Sequence, residues 1–409
     1  MNKKLIILFC LIIYLLITFG TEIFYRDRLY EISVEYIETI SQKGFFHNFY
    51  FFWSTIFLFS IMVIGVFITL FFYPINTFFI YVSIQIILVF IMCILKSLYS
   101  NPRPYWDIYL KNQGNRTDTF LPTPTECDGE FGNPSGHALL STYLLYLWDL
   151  FINSNYYNNK ISGKKKIVIK YITLILSIIC IIFVTYSRIN RQVHSFNQII
   201  FGATLGFAIF FLFSYYFEIN KISTNDFLNN LVKFKFILIP ILFILFTISV
   251  ILGLTRHNEK EELYLPILLK YCGFDKEQIF GKNTAFHSSL IFVIIGFYFG
   301  ILFLKYKLNK YYPKKENRFY NWNKGKKRET LSIFFLSFIL PALSIFVGLG
   351  IPFNYYLIKC IFAALFYFIY GFFSLGICFY YSCVKFKREE NVEELLINNK
   401  ENEEGNIDN

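Results

Sequence analysis

Long apolar runs alternate with short polar segments along most of this chain. A helix that crosses the hydrocarbon core of a bilayer, about 30 Å thick, needs about 20 mostly apolar residues. Ten stretches qualify or nearly qualify: residues 4–20, 50–73, 76–95, 137–153, 167–186, 196–217, 234–254, 284–305, 331–350 and 354–382. The pattern therefore predicts an all-α, polytopic transmembrane helical bundle.

Composition supports this class. The 409 residues are 55% hydrophobic and 21% aromatic, which is too apolar for a water-soluble protein of this length. The net charge of +11 does not indicate a nucleic-acid partner, because the basic residues lie in loops between apolar runs. In such loops they set the orientation of a protein in the membrane, so membrane lipids are the expected surroundings.

The basic loops fall on one side of the membrane when the stretches are counted off. They are the loop between the fourth and fifth stretches, the loop from Lys305 to Arg328, and the segment after the last stretch. The positive-inside tendency makes that side cytoplasmic. Residues 96–134, 187–195 and 255–283 then face the lumen or the exterior.

Two features of the non-cytoplasmic loops fit this orientation. Asn115-Arg-Thr is the only N-glycosylation sequon in the chain, and Asn115 is therefore a glycosylation candidate. Cys127 and Cys272 lie on the same side, where a disulfide between them would persist, and their pairing is a hypothesis.

Three short runs in the non-cytoplasmic loops carry groups suited to phosphate chemistry. They are Lys96-Ser-Leu-Tyr-Ser-Asn-Pro-Arg103-Pro, then Pro-Ser135-Gly136-His137, then Ser-Arg188-Ile-Asn-Arg-Gln-Val-His194-Ser-Phe-Asn-Gln198. Long cations and a Ser-Gly turn can hold a phosphate anion. Two histidines in different environments can act as nucleophile and proton donor in phosphoryl transfer.

These runs resemble the three motifs of the type 2 phosphatidic acid phosphatase superfamily in order and spacing. The resemblance implies a six-helix core with extra C-terminal spans, and a phosphoric monoester hydrolase that needs no cofactor. It also implies the following roles: His194 as nucleophile, His137 as general acid, Lys96, Arg103 and Arg188 as phosphate clamp, and Ser135 and Gly136 as further donors.

One position departs from the superfamily pattern, because Gln198 stands where the motif has aspartate. An amide oxygen can still orient the ring of the nucleophile without contributing charge. The glucose-6-phosphatase branch also has glutamine there, so Gln198 favours that branch. The run from Cys127 to His137, with a cysteine, an acid and then Pro-Ser-Gly-His-Ala, points the same way.

The resemblance and the apolar pattern together predict five segments. They are a signal anchor or signal peptide (1–20), a non-cytoplasmic N-terminal segment (21–48), the phosphatase-like core (49–220), additional transmembrane helices (221–383) and a disordered acidic cytoplasmic tail (384–409). The compartment is left open between the endoplasmic reticulum, another endomembrane and the plasma membrane.

The substrate is also open. The leading expectation is an integral membrane phosphatase that forms a phosphohistidine and hydrolyses a phosphorylated sugar, as glucose-6-phosphatase does. The alternative is a phosphatase of lipid phosphates such as phosphatidate, a sphingoid phosphate or a polyprenyl diphosphate. A non-catalytic transporter or scaffold is a third reading.

Other residues of the same region carry plainer expectations. We expect Arg191 to be solvated, and His287 to be a packing or interfacial residue, as are most lone histidines in membrane proteins. Two places suit Tyr105, Trp106 and Tyr109, a vestibule for the substrate and the aromatic belt at the membrane interface, and we expect the belt.

Overall fold

A computed structural model describes residues 3–39, 45–73, 75–111, 127–153, 158, 161, 163–214, 235–255, 258–274, 279–311 and 356–373. All regular structure in these ranges is helical, with no strand, which confirms the predicted fold class. Seven helices among them are long and apolar enough to cross a membrane: Leu8–Thr39, Asn48–Thr69, Thr77–Lys111, Gly163–Asn190, Phe196–Ser214, Phe236–Thr255 and Phe280–Phe303. These helices indicate a multi-pass membrane protein.

The helices that carry the fold are numbered here in chain order. The first seven are α1 (Lys3–Thr39), α2 (Phe45–Phe51), α3 (Leu58–Phe72), α4 (Ile75–Tyr99), α5 (Pro104–Lys111), α6 (Gly136–Ser141) and α7 (Tyr143–Ile152). The others are α8 (Gly163–Asn190), α9 (Phe196–Ser214), α10 (Lys235–Thr255), α11 (Glu261–Pro266), α12 (Phe280–Ser288), α13 (Ile291–Tyr311) and α14 (Tyr356–Phe372). Two π-helical segments, Phe52–Phe57 and Ile267–Tyr271, continue α2 and α11.

The stretch predicted at 137–153 is interrupted once along its length. It forms α6 and α7, separated at Thr142, whose hydroxyl donates to the carbonyl of Leu139 at 2.7 Å. Ser141 donates in the same way to Ala138 at 2.8 Å. Such hydroxyl bonds to the preceding turn compete with the regular helical pattern. Of the other predicted spans, 331–350 lies outside the described residues, and the last is described only as the shorter helix α14.

Helix α1 continues without a break through residue 20, the boundary expected for a signal segment. It packs along α9. The Tyr14 hydroxyl donates to the carbonyl of Thr204 at 3.1 Å, and the hydroxyl of Ser33 accepts from the backbone N–H of Phe196 at 2.8 Å. Residues on both sides of position 20 therefore belong to the same packed helix.

A buried aromatic cluster joins α5 to the later part of the chain. The ring of Trp106 lies 5.1 Å from that of Tyr264 and 5.7 Å from that of Phe280, measured between centroids. Tyr105 and Trp106 are both fully buried, so the expectation that they belong to an interfacial belt is wrong. Their burial follows from partners in α11 and α12 that lie more than 150 residues away in the sequence.

The hypothesis that Cys127 pairs with Cys272 is confirmed, because the two residues form a disulfide with Cα atoms 5.8 Å apart. Cys272 belongs to the same aromatic cluster, and Cys127 packs against it. The disulfide thus joins the segment before the second motif to the segment that follows α11.

The chain divides into two compact units. The first comprises Met1–Ile291 with Ile351–Ile361, and the second comprises Phe292–Gly350 with Phe362–Asn409. All candidate site residues named from the sequence and described in the structure lie in the first unit. In the second, α13 and α14 meet through aromatic pairs, with Phe299 5.5 Å from Phe368 and Phe303 5.7 Å from Phe372 between ring centroids.

Candidate active site

The ends of four helices bring the three motifs together. Lys96 lies in the last turn of α4 and Arg188 in the last turn of α8. His137 lies in the first turn of α6, and His194 lies just before α9. Because the chain enters or leaves each of these helices at the site, residues from separate motifs can meet around one point.

Arg103 is the centre of this arrangement and is only 1% exposed. Its Nε donates to the carbonyl of Glu130 at 2.7 Å, and its Nη1 donates to the carbonyl of Val193 at 3.0 Å. The same Nη1 lies 3.3 Å from Nε2 of His194. The first and third motifs are therefore in direct contact through Arg103.

Asp128 links two cations of the expected phosphate clamp. Its Oδ2 lies 3.0 Å from Nη1 of Arg103 and 3.0 Å from Nη2 of Arg188. Burial opposes ionisation of this carboxyl, but the charges of the two arginines and of Lys96 outweigh it and hold the pKa of Asp128 well below its usual range. Asp128 is therefore a carboxylate at any physiological pH.

Glu130 holds the third cation. Its Oε2 lies 2.6 Å from Nζ of Lys96, and its Oε1 lies 3.4 Å from Nε2 of His287. Burial acts to raise the pKa of Glu130, but attraction to Lys96 and His287 lowers it by more. The pKa of Glu130 therefore lies below its usual value. His287, expected to be a mere packing residue, thus contacts a carboxylate of the site.

The hydrogen bonds of Gln198 fix the ring of His194. Nε2 of Gln198 donates to the carbonyl of Pro102 at 2.7 Å, so its Oε1 is the atom that faces His194. That oxygen lies 3.1 Å from Nδ1 of His194 and accepts from the backbone N–H of Ser195 at 3.3 Å. Since an amide oxygen only accepts, Nδ1 must carry the proton and Nε2 the lone pair.

The surroundings of His194 also keep the ring neutral. The side chain is 1% exposed. Burial, followed by the positive charges of Arg103, Arg188 and Lys96, lowers the pKa of His194 well below its usual value. The protonated ring therefore appears only in acid, and the neutral imidazole is the form present at neutral pH.

The second motif lies against the same groups. His137 interacts electrostatically with Arg188, Asp128 and Lys96, and it is partly exposed. Ser135 caps α6 by accepting from the N–H of Ala138, and its own N–H donates to the carbonyl of Gln198 at 2.9 Å. The backbone donor of Ser135, expected to bind phosphate, is thus already used to join two motifs.

Two glycines allow close packing around the site. A Cβ at Gly132 would lie 2.6 Å from both side-chain amide atoms of Gln198, so no side chain fits beside the residue that orients His194. A Cβ at Gly136 would collide with the sulfur of Met92. Gly136 is therefore required by packing against α4, whether or not its N–H also binds phosphate.

The sequence did not single out several residues that support the motifs. Glu22 of α1 is 4% exposed and accepts a hydrogen bond from Nδ2 of Asn133, next to the second motif. Arg191 is 4% exposed rather than solvated, and it donates to the hydroxyls of Ser54 at 2.5 Å and Thr55 at 3.0 Å. The expectation for Arg191 was wrong, because the side chain is buried and donates hydrogen bonds to hydroxyls of the π-helical segment.

Two remaining features are the glycosylation candidate and the groups that could hold a metal ion. Asn115, the glycosylation candidate, lies outside the described residues. Among the described residues no group of three or more His, Cys, Asp or Glu side chains is arranged to hold a metal ion.

Replacing Gln198 with alanine is expected to lower kcat by about 10- to 100-fold, the usual effect of removing a partner that orients a histidine ring. The arginines would remain in place, so KM should change little. Steady-state kinetics on purified protein measure both. Gln85→Ala is the matched control, because Gln85 is also a buried amide, bonded to the carbonyl of Met62 at 3.2 Å. An equal loss of kcat in both variants would contradict a specific role for Gln198.

A family model matches the motif region. Residues 77–222 match the PAP2 superfamily, and this match supports the type 2 phosphatidic acid phosphatase superfamily. Searches of curated proteins and of solved structures found no match. The matched region, together with the seven apolar helices, indicates a membrane phosphatase.

Proposed function

We propose that this chain, through the region that matches the PAP2 superfamily, hydrolyses a phosphate monoester by way of a phosphohistidine on His194. The observation that carries the proposal is the fixed amide of Gln198, with Nε2 donating to Pro102 and Oε1 facing Nδ1 of His194. That bond leaves the lone pair on Nε2, the atom that faces Arg103. A neutral imidazole with its lone pair beside an arginine is suited to attack a bound phosphate.

In the first step, Nε2 of His194 attacks phosphorus and the bond between phosphorus and the leaving oxygen breaks. His137 gives its proton to that oxygen, which departs as an alcohol. Burial and then the charge of Arg188 lower the pKa of His137. The negative charge of a bound phosphate acts against this, so His137 is proposed to take up its proton when the substrate binds. Arg103, Arg188 and Lys96 stabilise the charge on the non-bridging oxygens, which is the main requirement of phosphoryl transfer.

In the second step, a water molecule attacks the phosphorus of the phosphohistidine. The now neutral His137 takes a proton from the water, the bond to Nε2 breaks, and inorganic phosphate is released. His194 and His137 return to their starting states. His137 thus donates a proton in the first step and accepts one in the second, while His194 forms and then breaks the bond to phosphorus.

The proposed site faces away from the cytoplasm. The distribution of basic loops supports this side. The disulfide between Cys127 and Cys272, next to Asp128, supports it independently, because disulfides persist in oxidising compartments.

We propose a polar leaving group, such as the sugar of glucose 6-phosphate. Carboxylates of Asp128 and Glu130 border the cations, and the side chain of Asp128 is 39% exposed while that of His287 is 44% exposed. Such groups can accept from or donate to substrate hydroxyls, whereas a lipid alkyl chain would have to lie against charged side chains.

A substrate panel tests the proposal. We expect the purified protein to release phosphate from glucose 6-phosphate, to act more slowly on phosphatidate in mixed micelles, and to be inhibited by vanadate, which mimics five-coordinate phosphorus. Faster turnover of phosphatidate would show that the preferred substrate is a lipid phosphate and not a sugar phosphate. No vanadate-sensitive release from any member of the panel would contradict the phosphatase itself.

A further inference from the structure

We propose that Asp128 occupies the position of a phosphate oxygen between Arg103 and Arg188, that a bound phosphate displaces it, and that its return weakens the binding of product phosphate. This inference rests on the proposed function, but its central claim concerns phosphate affinity and not turnover. Asp128 would thus be the residue that sets how tightly the site holds its product.

Nη1 of Arg103 is an atom for which phosphate and Asp128 would compete. This nitrogen carries two hydrogens. It donates to the carbonyl of Val193 at 3.0 Å and lies 3.3 Å from Nε2 of His194, while Oδ2 of Asp128 lies 3.0 Å away as its ion-pair partner. Because the carboxylate already lies against Nη1, an incoming phosphate oxygen can take the same place only if Asp128 leaves.

Asp128 is the acceptor that can leave. The carbonyl of Val193 belongs to a backbone that is fully buried, and Nε2 of His194 must stay close to phosphorus in order to attack it. The side chain of Asp128 is 39% exposed, whereas that of Arg103 is 1% exposed. Of these three acceptors, only the carboxylate of Asp128 can leave the arginines and be hydrated by water instead.

The same oxygen of Asp128 also contacts the second arginine. Oδ2 lies 3.0 Å from Nη2 of Arg188, so a single oxygen atom bridges two guanidinium groups. A non-bridging phosphate oxygen between two arginines would have this geometry, and two anions cannot share the position without strong repulsion. Phosphate and the carboxylate therefore compete for one place.

The backbone of Asp128 is anchored, so its side chain can return after each exchange. The carbonyl of Asp128 accepts from the hydroxyl of Tyr105 at 2.8 Å, and its N–H donates to the same hydroxyl at 3.2 Å. The preceding residue, Cys127, is bonded to Cys272. A side-chain rotation is thus enough to open and close the position, with no movement of a loop.

Glu130 differs from Asp128 in this respect. Its side chain is 11% exposed, and its carboxylate is paired with both Lys96 and His287. We therefore assign the competing role to Asp128 alone, and the positioning of Lys96 to Glu130.

The test measures binding of inorganic phosphate to the purified, detergent-solubilised full chain by isothermal titration calorimetry. Asp128→Asn removes the charge of the competitor and keeps its shape, and we expect it to bind phosphate about tenfold more tightly than the unaltered protein, the effect of one charge-assisted hydrogen bond. Asp128→Glu keeps the charge, and its affinity should stay close to that of the unaltered protein. Asp27→Asn is the matched control, because Asp27 is exposed and pairs with Arg26.

Weaker or unchanged phosphate binding by Asp128→Asn would overturn the proposal, because a residue that merely positions the arginines would lower affinity when altered. If Asp128→Asn does not fold, tighter binding by Asp128→Ser supports the proposal in its place, and weaker or unchanged binding overturns it. The outcome is separable from that of the proposed function. If Asp128→Asn binds phosphate more tightly but the unaltered protein hydrolyses none of the substrates, the competing role of Asp128 stands and the phosphatase activity does not. If Asp128→Asn binds phosphate more weakly and the unaltered protein is active, the phosphatase activity stands and the competing role does not.

Discussion

Replacing His194 with alanine is expected to abolish turnover, with kcat lowered by about 10⁴-fold or more, as for other covalent nucleophiles. Nε2 of His194 is the imidazole nitrogen that contacts Arg103, at 3.3 Å. The protein should also lose its phosphoenzyme. Brief mixing with radiolabelled substrate, followed by denaturation, would measure label in an acid-labile, alkali-stable bond.

Folding of the His194→Ala variant must be shown separately. Elution as a single species in detergent and an intact disulfide between Cys127 and Cys272, seen as a mobility difference on reduction, provide that evidence. A folded His194→Ala protein that still forms the acid-labile phosphoenzyme would assign the nucleophile to another residue.

The second large effect is expected at His137. His137→Ala should lower kcat for alkyl phosphates by about 10²- to 10⁴-fold, the usual contribution of a general acid. The loss should be smaller for the formation of phosphoenzyme from p-nitrophenyl phosphate, whose leaving group needs no proton. Because the same residue is proposed to activate water, the phosphohistidine should then accumulate.

Comparison of the two histidine variants distinguishes the proposed nucleophile from the proposed general acid. With p-nitrophenyl phosphate, His137→Ala should retain a labelled phosphoenzyme and His194→Ala should have none. Equal losses on alkyl and activated substrates for His137→Ala would count against its role as general acid.

The sequence was a good guide to the site where residue types and spacing are dictated by chemistry. Lys96, Arg103, Arg188 and His194 stand at motif spacing, and the structure brings them together at helix ends. The glutamine at position 198 was expected to orient the ring of His194, and its Oε1 lies 3.1 Å from Nδ1 of that ring. Their roles in catalysis are still to be tested.

Residues whose importance depends on long-range packing were not apparent. Asp128 and Glu130 fall between motifs, and their partners are known only once the chain folds. Glu22 lies in a segment of mixed charge, where nothing in the local pattern marks one acid as buried. Trp106 seemed suited to the membrane interface because its partner Tyr264 is far away in the sequence.

The break between α6 and α7 shows another limit of pattern reading. Hydropathy along 137–153 is that of a continuous span, but the helix is interrupted at Thr142, where the hydroxyls of Ser141 and Thr142 donate to carbonyls of the preceding turn. Apolar content predicts that a segment enters the membrane environment. It does not predict where side chains compete with the helical backbone.

The tie between Cys127 and Cys272 has a consequence for how the protein is made. All the motif residues lie between positions 96 and 198, yet the aromatic cluster beside them requires Tyr264 and Phe280. A nascent chain that has been synthesised only through the third motif therefore still lacks the partners of Trp106 and the disulfide beside Asp128. The proposed site is therefore completed only after the chain has been synthesised through α12.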